Sequence, residues 1–369
     1  MNKTILTPTA VRSGGMAAWM ILLLVVIGLL AAAGTVVLLK SGSGPEEELT
    51  ENLLPDPREM ARIEASADKA LEYLVRQQLP DGNWPSSYGS NNGVNALCLL
   101  AFLGRGHVPG RGPYQSVVDR AVNYLLATQQ TNGLYLSPNP SNGPMYEHGL
   151  TTLAMIESYG QIPTPQMRSS VQQAVNLILQ SQSPAGGWRY QPVPADADLS
   201  VTVMEVVALK AAINARLNVP AETMEKALEY VKKCAHPDGG FYYQPGHAEG
   251  PAPARTAAGI LCMQLLGAFD DPAVAKSLDW LDKVNYQKDI PYFWYMNYYA
   301  MQAHFQAGGN YWARWHPKVR KFLFETQKQD GSWEGYGEQS VNGPAFCYST
   351  AMGALCLEVY MHFLPVYQR

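Results

Sequence analysis

The chain is predicted to be all-α: an α/α toroid of about six helical hairpins, preceded by one transmembrane helix. Three observations predict this. An apolar helical pattern, a Gly-x-aromatic turn and a second apolar helix recur along the chain. Val and Ile alternation with hairpin turns is scarce, and Met16 to Leu39 is 24 residues without a charge.

The repeat register is set by one offset. Ala70 lies fourteen positions before Trp84, Ala121 before Tyr135, Ala174 before Trp188, Ala227 before Phe241 and Val319 before Trp333, with a Gly two residues ahead of each aromatic. Gln78, Gln129, Gln182 and Gln327 sit six positions before their aromatics, and Ala235 departs from that pattern. The first four starts are 51, 53 and 53 residues apart; the 92 residues from 227 to 319 leave room for a degenerate copy around Ser277-Leu278-Asp279-Trp280-Leu281. Periods of this size signal units that cannot bury their apolar faces alone. Every residue of the motif has a structural reason to be there. Gln at a helix end satisfies free carbonyls, Gly ends the helix, and the aromatic folds back as a staple.

The pattern aromatic-Leu, Gln, Gly-x-Trp is complete in Tyr73-Leu74, Gln78, Gly82-Asn83-Trp84 and in Phe322-Leu323, Gln327, Gly331-Ser332-Trp333. It resembles the Gln-Trp repeat of squalene-hopene and oxidosqualene cyclases, shared in looser form by protein prenyltransferase β-subunits, and the resemblance covers roughly residues 65 to 365. It implies hairpins closed into an α/α toroid, with inner helices around a cavity and outer helices around them. The inner helices are expected to start at one rim, near Asn92, Glu147, Asp198, Arg255, Asn297 and Phe346.

In chain order, residues 1–15 are expected to be a cytoplasmic N-terminus. Met16 to Leu39, at about 1.5 Å per residue, spans a hydrocarbon core of roughly 30 Å. A cleaved signal peptide is the rival, with Ala31-Ala32-Ala33 as a cleavage site, but the length of the run favours an anchor. Lys3 and Arg12 precede the helix, whereas Glu46, Glu47, Glu48 and Glu51 follow it, which places the large domain outside, in the periplasm of a bacterium. Residues 40–60 read as a flexible acidic linker and 61–369 as the toroid. A net charge of −4 leaves no basic face, so nucleic acid is not an expected partner. The five cysteines sit inside apolar helical patterns with no metal-ligand spacing and read as small buried side chains.

Candidate chemistry gathers at the rim. In Asp196-Ala197-Asp198-Leu199 the resemblance to the Asp-x-Asp-Asp of class II terpene cyclases implies Asp198 as the proton donor to an alkene or epoxide and Asp196 as its partner, with Leu199 replacing the third Asp. The residues by themselves favour Asp198 as the N-cap of the following helix. The polycyclising members also use a cavity between two barrels, and one barrel is expected here. Glu147 and His148 form a candidate acid/base pair, read against a first-turn Glu with a surface His beside it. Arg255 is a candidate partner for carboxylates or an anionic ligand. Six rings fall in Pro291 to Tyr299, and Trp294, Tyr295 and Tyr298, with Tyr348 on the last inner helix, are candidates for an aromatic wall that suits an isoprenoid chain or sugar rings. The prenyltransferase zinc ligands have no counterpart: Asp-x-Cys is missing and the last inner helix reads Phe346-Cys347-Tyr348-Ser349-Thr350, so neither metal nor cofactor is expected. Gly335-Tyr336-Gly337-Glu338-Gln339 resembles the thioester motif of complement-type proteins, but Tyr336 stands where the thioester requires cysteine. The expected function is a membrane-anchored repeat protein that binds an apolar or polymeric ligand or a protein partner. The rivals are a terpenoid cyclase or transferase using Asp198 and Asp196, and a glycan-active enzyme with paired carboxylates.

Overall fold

A computed structural model describes residues 55–138, 140, 143–338 and 345–361. The span predicted at Met16–Leu39 and most of the linker lie outside the described residues. Among the described residues no helix is long and apolar enough to cross a membrane.

Among the described residues, twelve α-helices alternate between an outer and an inner layer. The outer helices are α1 (Pro57–Gln77), α3 (Gln115–Ala127), α5 (Pro165–Gln180), α7 (Ala221–Lys233), α9 (Pro272–Asp282) and α11 (Gly309–Thr326). The inner helices are α2 (Asn92–Gly104), α4 (Pro144–Gln161), α6 (Leu199–Asn214), α8 (Pro253–Leu265), α10 (Phe293–Ala307) and α12 (Cys347–Glu358). Burial separates the layers as amphipathicity requires. Every residue of α2 and of α12 is buried, whereas α7 buries only Thr223, Ala227, Tyr230 and Val231. Each inner helix packs on the next, and α12 returns to α2; each outer helix packs on the inner helix before it, and α1 on α12. Both layers therefore close. A two-stranded ribbon, Pro85–Ser86 with Gly89–Ser90, lies in the loop before α2.

The first helix begins inside the stretch read as linker, because Asp56 accepts hydrogen bonds from the amides of Arg58 and Glu59 and Pro57 takes the first turn. The inner helices start within four residues of their expected positions. All five cysteines are buried and unpaired.

The repeat motif is a set of clasps between neighbours. The Gln182 side-chain amide donates to Gly186 O at 2.8 Å in its own turn and to Thr223 O at 2.9 Å in the next outer helix. Gln78 and Gln129 bridge in the same way to Val117 O and Ser170 O, and Gln327 reaches Ser66 O at 2.8 Å, joining the last repeat to the first. The indole N–H of Trp84, Trp188 and Trp333 donates to Leu74 O, Ile178 O and Leu323 O, carbonyls in the last turn of the outer helix that also accept the amides of Gln78, Ser181 and Gln327. Where Ala235 replaces Gln, Lys276 of the next outer helix donates to Pro237 O at 3.0 Å instead. In the degenerate fifth copy Tyr286 packs on Phe293, Trp315 and Phe322, and its hydroxyl donates to Asn297.

Candidate functional site: a tyrosine-walled cavity at the inner-helix rim

Outer helices run into the turns and inner helices run out of them, so the six inner N-termini converge on one rim. A cavity of about 770 Å³ opens there. Val94, Leu97, Leu150 and Met204 supply apolar surface from the inner helices, Arg189, His247, Glu249 and Arg255 add polar and charged groups, and seven tyrosines stand around it: Tyr88, Tyr146, Tyr190, Tyr243, Tyr292, Tyr295 and Tyr348.

Of the residues expected at the site, Glu147, Arg255, Tyr295 and Tyr348 line the cavity. Glu147 is 2% exposed; Asn91 donates to its Oε1 at 2.6 Å and the Ser137 hydroxyl to its Oε2, so the carboxylate ties α4 to the loops before α2 and α4. The Arg255 guanidinium donates to Gly250 O and pairs with Glu249 at 3.6 Å. The Tyr295 hydroxyl is buried without a hydrogen-bond partner among the described residues.

The other expected residues lie elsewhere. His148 is not a surface residue and does not pair with Glu147: it is fully buried, its Nδ1 accepts from the Tyr135 amide at 3.1 Å and its Nε2 faces Ala174 O at 3.2 Å. Asn95, Thr202, Thr256 and Thr350 do the same for Trp84, Trp188, Phe241 and Trp333, so His148 is the second repeat's version of a structural acceptor. Burial pushes its imidazole down to about 4, which keeps it neutral. Trp294 is fully buried, donating to Glu334 O, and Tyr298, 2% exposed, packs against Tyr299; neither lines the cavity.

Asp198 is the N-cap of α6: its Oδ1 accepts from the Val201 amide at 3.0 Å. Its Oδ2 is buried and outside hydrogen-bond geometry with any of the described residues, with the Tyr243 hydroxyl nearby, itself bonded to that of Tyr190. Burial pushes the carboxyl up to about 6 against the opposing effect of the first-turn amides, the Tyr243 hydroxyl and Arg189. Asp196 is not beside it. It lies at the surface, paired with Arg189 and bonded to the Ala197 amide. The acid pair implied by the cyclase resemblance is thus one buried cap and one solvated ion pair. Asp198→Asn is expected to fold and, above about pH 6, to melt at or above the parent, since Asn accepts the same amide without a buried charge. Asp198→Ala is expected to lose roughly 0.5–2 kcal/mol; equal melting of Ala and Asn variants would remove the capping role.

Glu338 was not legible as a site residue. It lines the cavity at 5% exposure and accepts from the amides of Trp294 at 2.7 Å and Tyr295 at 3.3 Å and from the Tyr348 hydroxyl at 2.8 Å. It therefore caps α10 from the loop before α12. Burial pushes it up to about 7. Because the folded value exceeds the ordinary one, its stabilising contribution is complete below about pH 4.5 and is lost as pH rises through about 7. Relative to Glu338→Gln, the parent is expected to lose on the order of 3 kcal/mol between about pH 4.5 and 8. His148, whose shift has the opposite sign, is common to both chains and cancels in the difference. Denaturant titrations of both proteins at the two pH values measure it, and a constant difference would contradict it.

The missed tyrosines had a weak signal. Tyr190 and Tyr243 each lie two residues after the turn aromatic, the offset at which Ser137 reaches Glu147. Serine at that offset in the early repeats hides the rule.

In sequence, 202 residues, 54% of this chain, are 27% identical to drimenyl diphosphate synthase from Streptomyces showdoensis, and 190 residues are 27% identical to the enzyme of the same description from Streptantibioticus cattleyicolor. The matches cover 35% and 33% of those proteins, so the chain aligns with about a third of their length. In structure, the α-1,6-mannanase of Salegentibacter sp. HEL1_6 superposes with a TM-score of 0.61 at 12% identity, covering 82% of this chain and 99% of that one. A type II terpene cyclase from Scytonema in complex with geranylgeranyl dihydroxybenzoate superposes with a TM-score of 0.55 at 14% identity, covering 83% and 99%. These likenesses establish the fold alone. The family match extends over residues 64–293, from α1 to the start of α10, and on that match the chain belongs to the prenyltransferase alpha-alpha toroid domain family.

Proposed function

We propose that the protein binds an apolar, isoprenoid-type chain in the rim cavity while tethered to a membrane by Met16–Leu39. The observation that carries this reading is the cavity: about 770 Å³, with Val94, Leu97, Leu150 and Met204 on α2, α4 and α6, a ring of tyrosines, and polar groups such as Arg189 and Arg255. That volume falls within the usual small-ligand range of roughly 300–1,000 Å³, and aromatic faces pack well on unsaturated hydrocarbon. A single barrel is no obstacle, since the superposed type II terpene cyclase is itself accounted for to 99% by a toroid of this size.

A cyclase acting through Asp198 is the second reading, favoured by its buried, unpartnered Oδ2 and by a carboxyl that burial holds above the ordinary range. Binding without that chemistry is preferred because Asp198 does not line the cavity and Asp196 and Leu199 lend it no second carboxylate. The glycan reading is weaker. Both oxygens of Glu147 and of Glu338 already accept hydrogen bonds from the protein.

The test is photolabelling of the full chain in phosphatidylcholine liposomes with a benzophenone-bearing farnesol. Saturable labelling of peptides around Tyr146, Tyr190 and Tyr295, competed by geranylgeraniol and not by mannotriose, is expected; unsaturable labelling overturns the reading. Conversion of geranylgeraniol to a cyclic product by the parent and not by Asp198→Asn would replace binding with catalysis. For the tether, protease added outside intact spheroplasts is expected to digest the toroid, and full protection would place it on the other side.

A further inference from the structure

Among the described residues, two other than glycine have positive φ, Arg216 and Tyr292, both at 58°. Arg216 has a local explanation. It follows the end of α6, where its amide donates to Ile213 O and that of Leu217 to Ala212 O, a common left-handed helix end. Tyr292 has no such explanation. It stands at the N-cap of α10, a position that ordinarily holds an extended residue whose side chain bonds the first amides, as Asn91 and Asp198 do for α2 and α6. Here Glu338 takes those amides from a distant loop, so the Tyr292 side chain caps nothing.

The strain is held by packing. A Cβ on Gly337 would lie 2.4 Å from Ile290 O, so the loop carrying Glu338 is pressed against the backbone just before Tyr292. A left-handed conformation is costly for a bulky side chain and persists where its surroundings over-determine it, most often at clamps and sites. The ring gains little in return from burial: Tyr292 is 64% exposed, the most exposed large hydrophobic side chain among the described residues, yet it lines the cavity with Tyr295 and Tyr348 behind it.

We propose that Tyr292 is the mouth residue of the binding site, its left-handed backbone holding the ring where it covers the end of an apolar chain that emerges from the cavity. This rests on the isoprenoid-binding reading. The ring completes the tyrosine wall on the solvent side, and its removal exposes the bound chain to water. The ring's expected contribution is a factor of about ten in affinity.

The photolabelling competition separates ring from backbone. Unlabelled farnesol is titrated against a fixed probe concentration for the full chain and for Y292G, Y292A and Y292F in the same liposomes, and melting temperatures are recorded for each. Y292G is expected to need about ten times more farnesol for half-competition while melting above the parent, because glycine adopts this conformation freely. Y292A is expected to show the same loss of binding without the gain in melting temperature, and Y292F to match the parent in both. Parent-like competition by Y292G and Y292A overturns the role of Tyr292 and leaves the cavity reading standing. A lower melting temperature for Y292G makes the residue structural and overturns it too. No saturable labelling of the parent overturns the cavity reading and this inference with it.

Discussion

Trp188→Ala is expected to lower the unfolding free energy by about 3–5 kcal/mol, the usual cost of truncating a large buried aromatic. Trp188 is fully buried, its indole donates to Ile178 O at 2.7 Å, and its amide donates to Thr202 Oγ1 at 3.0 Å. The substitution removes the staple and one of two donors to the Ile178 carbonyl, which keeps the Ser181 amide, so the cavity left by the ring is the larger cost. Trp188→Phe fills most of the volume and loses only the indole hydrogen bond, so a smaller cost of about 0.5–1.5 kcal/mol is expected for it. Denaturant unfolding measures both, and equal, small effects would show that the turn aromatics are dispensable.

Gly331→Ala is expected to cost more than about 3 kcal/mol, although it adds a single methyl. Gly331 has φ +93°, and a Cβ there would lie 2.2 Å from Lys69 O, at the seam where the last turn meets the first outer helix. Two penalties combine: the left-handed strain and a clash with backbone that has no rotamer to escape into. Gly267→Ala isolates the first, since Gly267 has φ +85° with nothing within 4 Å, and roughly 1 kcal/mol is expected there. Because the seam also holds the Gln327 to Ser66 clasp, Gly331→Ala should loosen ring closure and not one hairpin alone. Similar melting temperatures for the two alanine variants would mean that the seam yields at little cost.

Much of the fold was legible because its determinants are local. The offset from Ala174 through Gln182 and Gly186 to Trp188 lies within fifteen residues, and it encodes a helix end, a left-handed turn and a staple without reference to the rest of the chain. The same holds for Asp198, whose place before an apolar run identified the cap. The degenerate copy was placed from spacing, but its substitute staple, Tyr286, followed no motif.

The site was legible only in part, and the helix period explains which part. Successive residues on a helix point about 100° apart. Glu147 therefore faces the cavity while His148 faces the Tyr135 turn, and Tyr295 lines the wall while Trp294 packs behind it. A sequence without a known helix phase cannot separate such neighbours. Nor does it bring Tyr88 and Tyr348 to one wall, or carry Glu338 to the N-terminus of α10, since those pairings arise only when the ring closes. The sequence by itself determined the repeat, its turns and the cap at Asp198, because each depends on residues close along the chain. The tertiary structure alone decided which residues share the cavity, because that depends on helix rotation and on the closure of six hairpins into a ring.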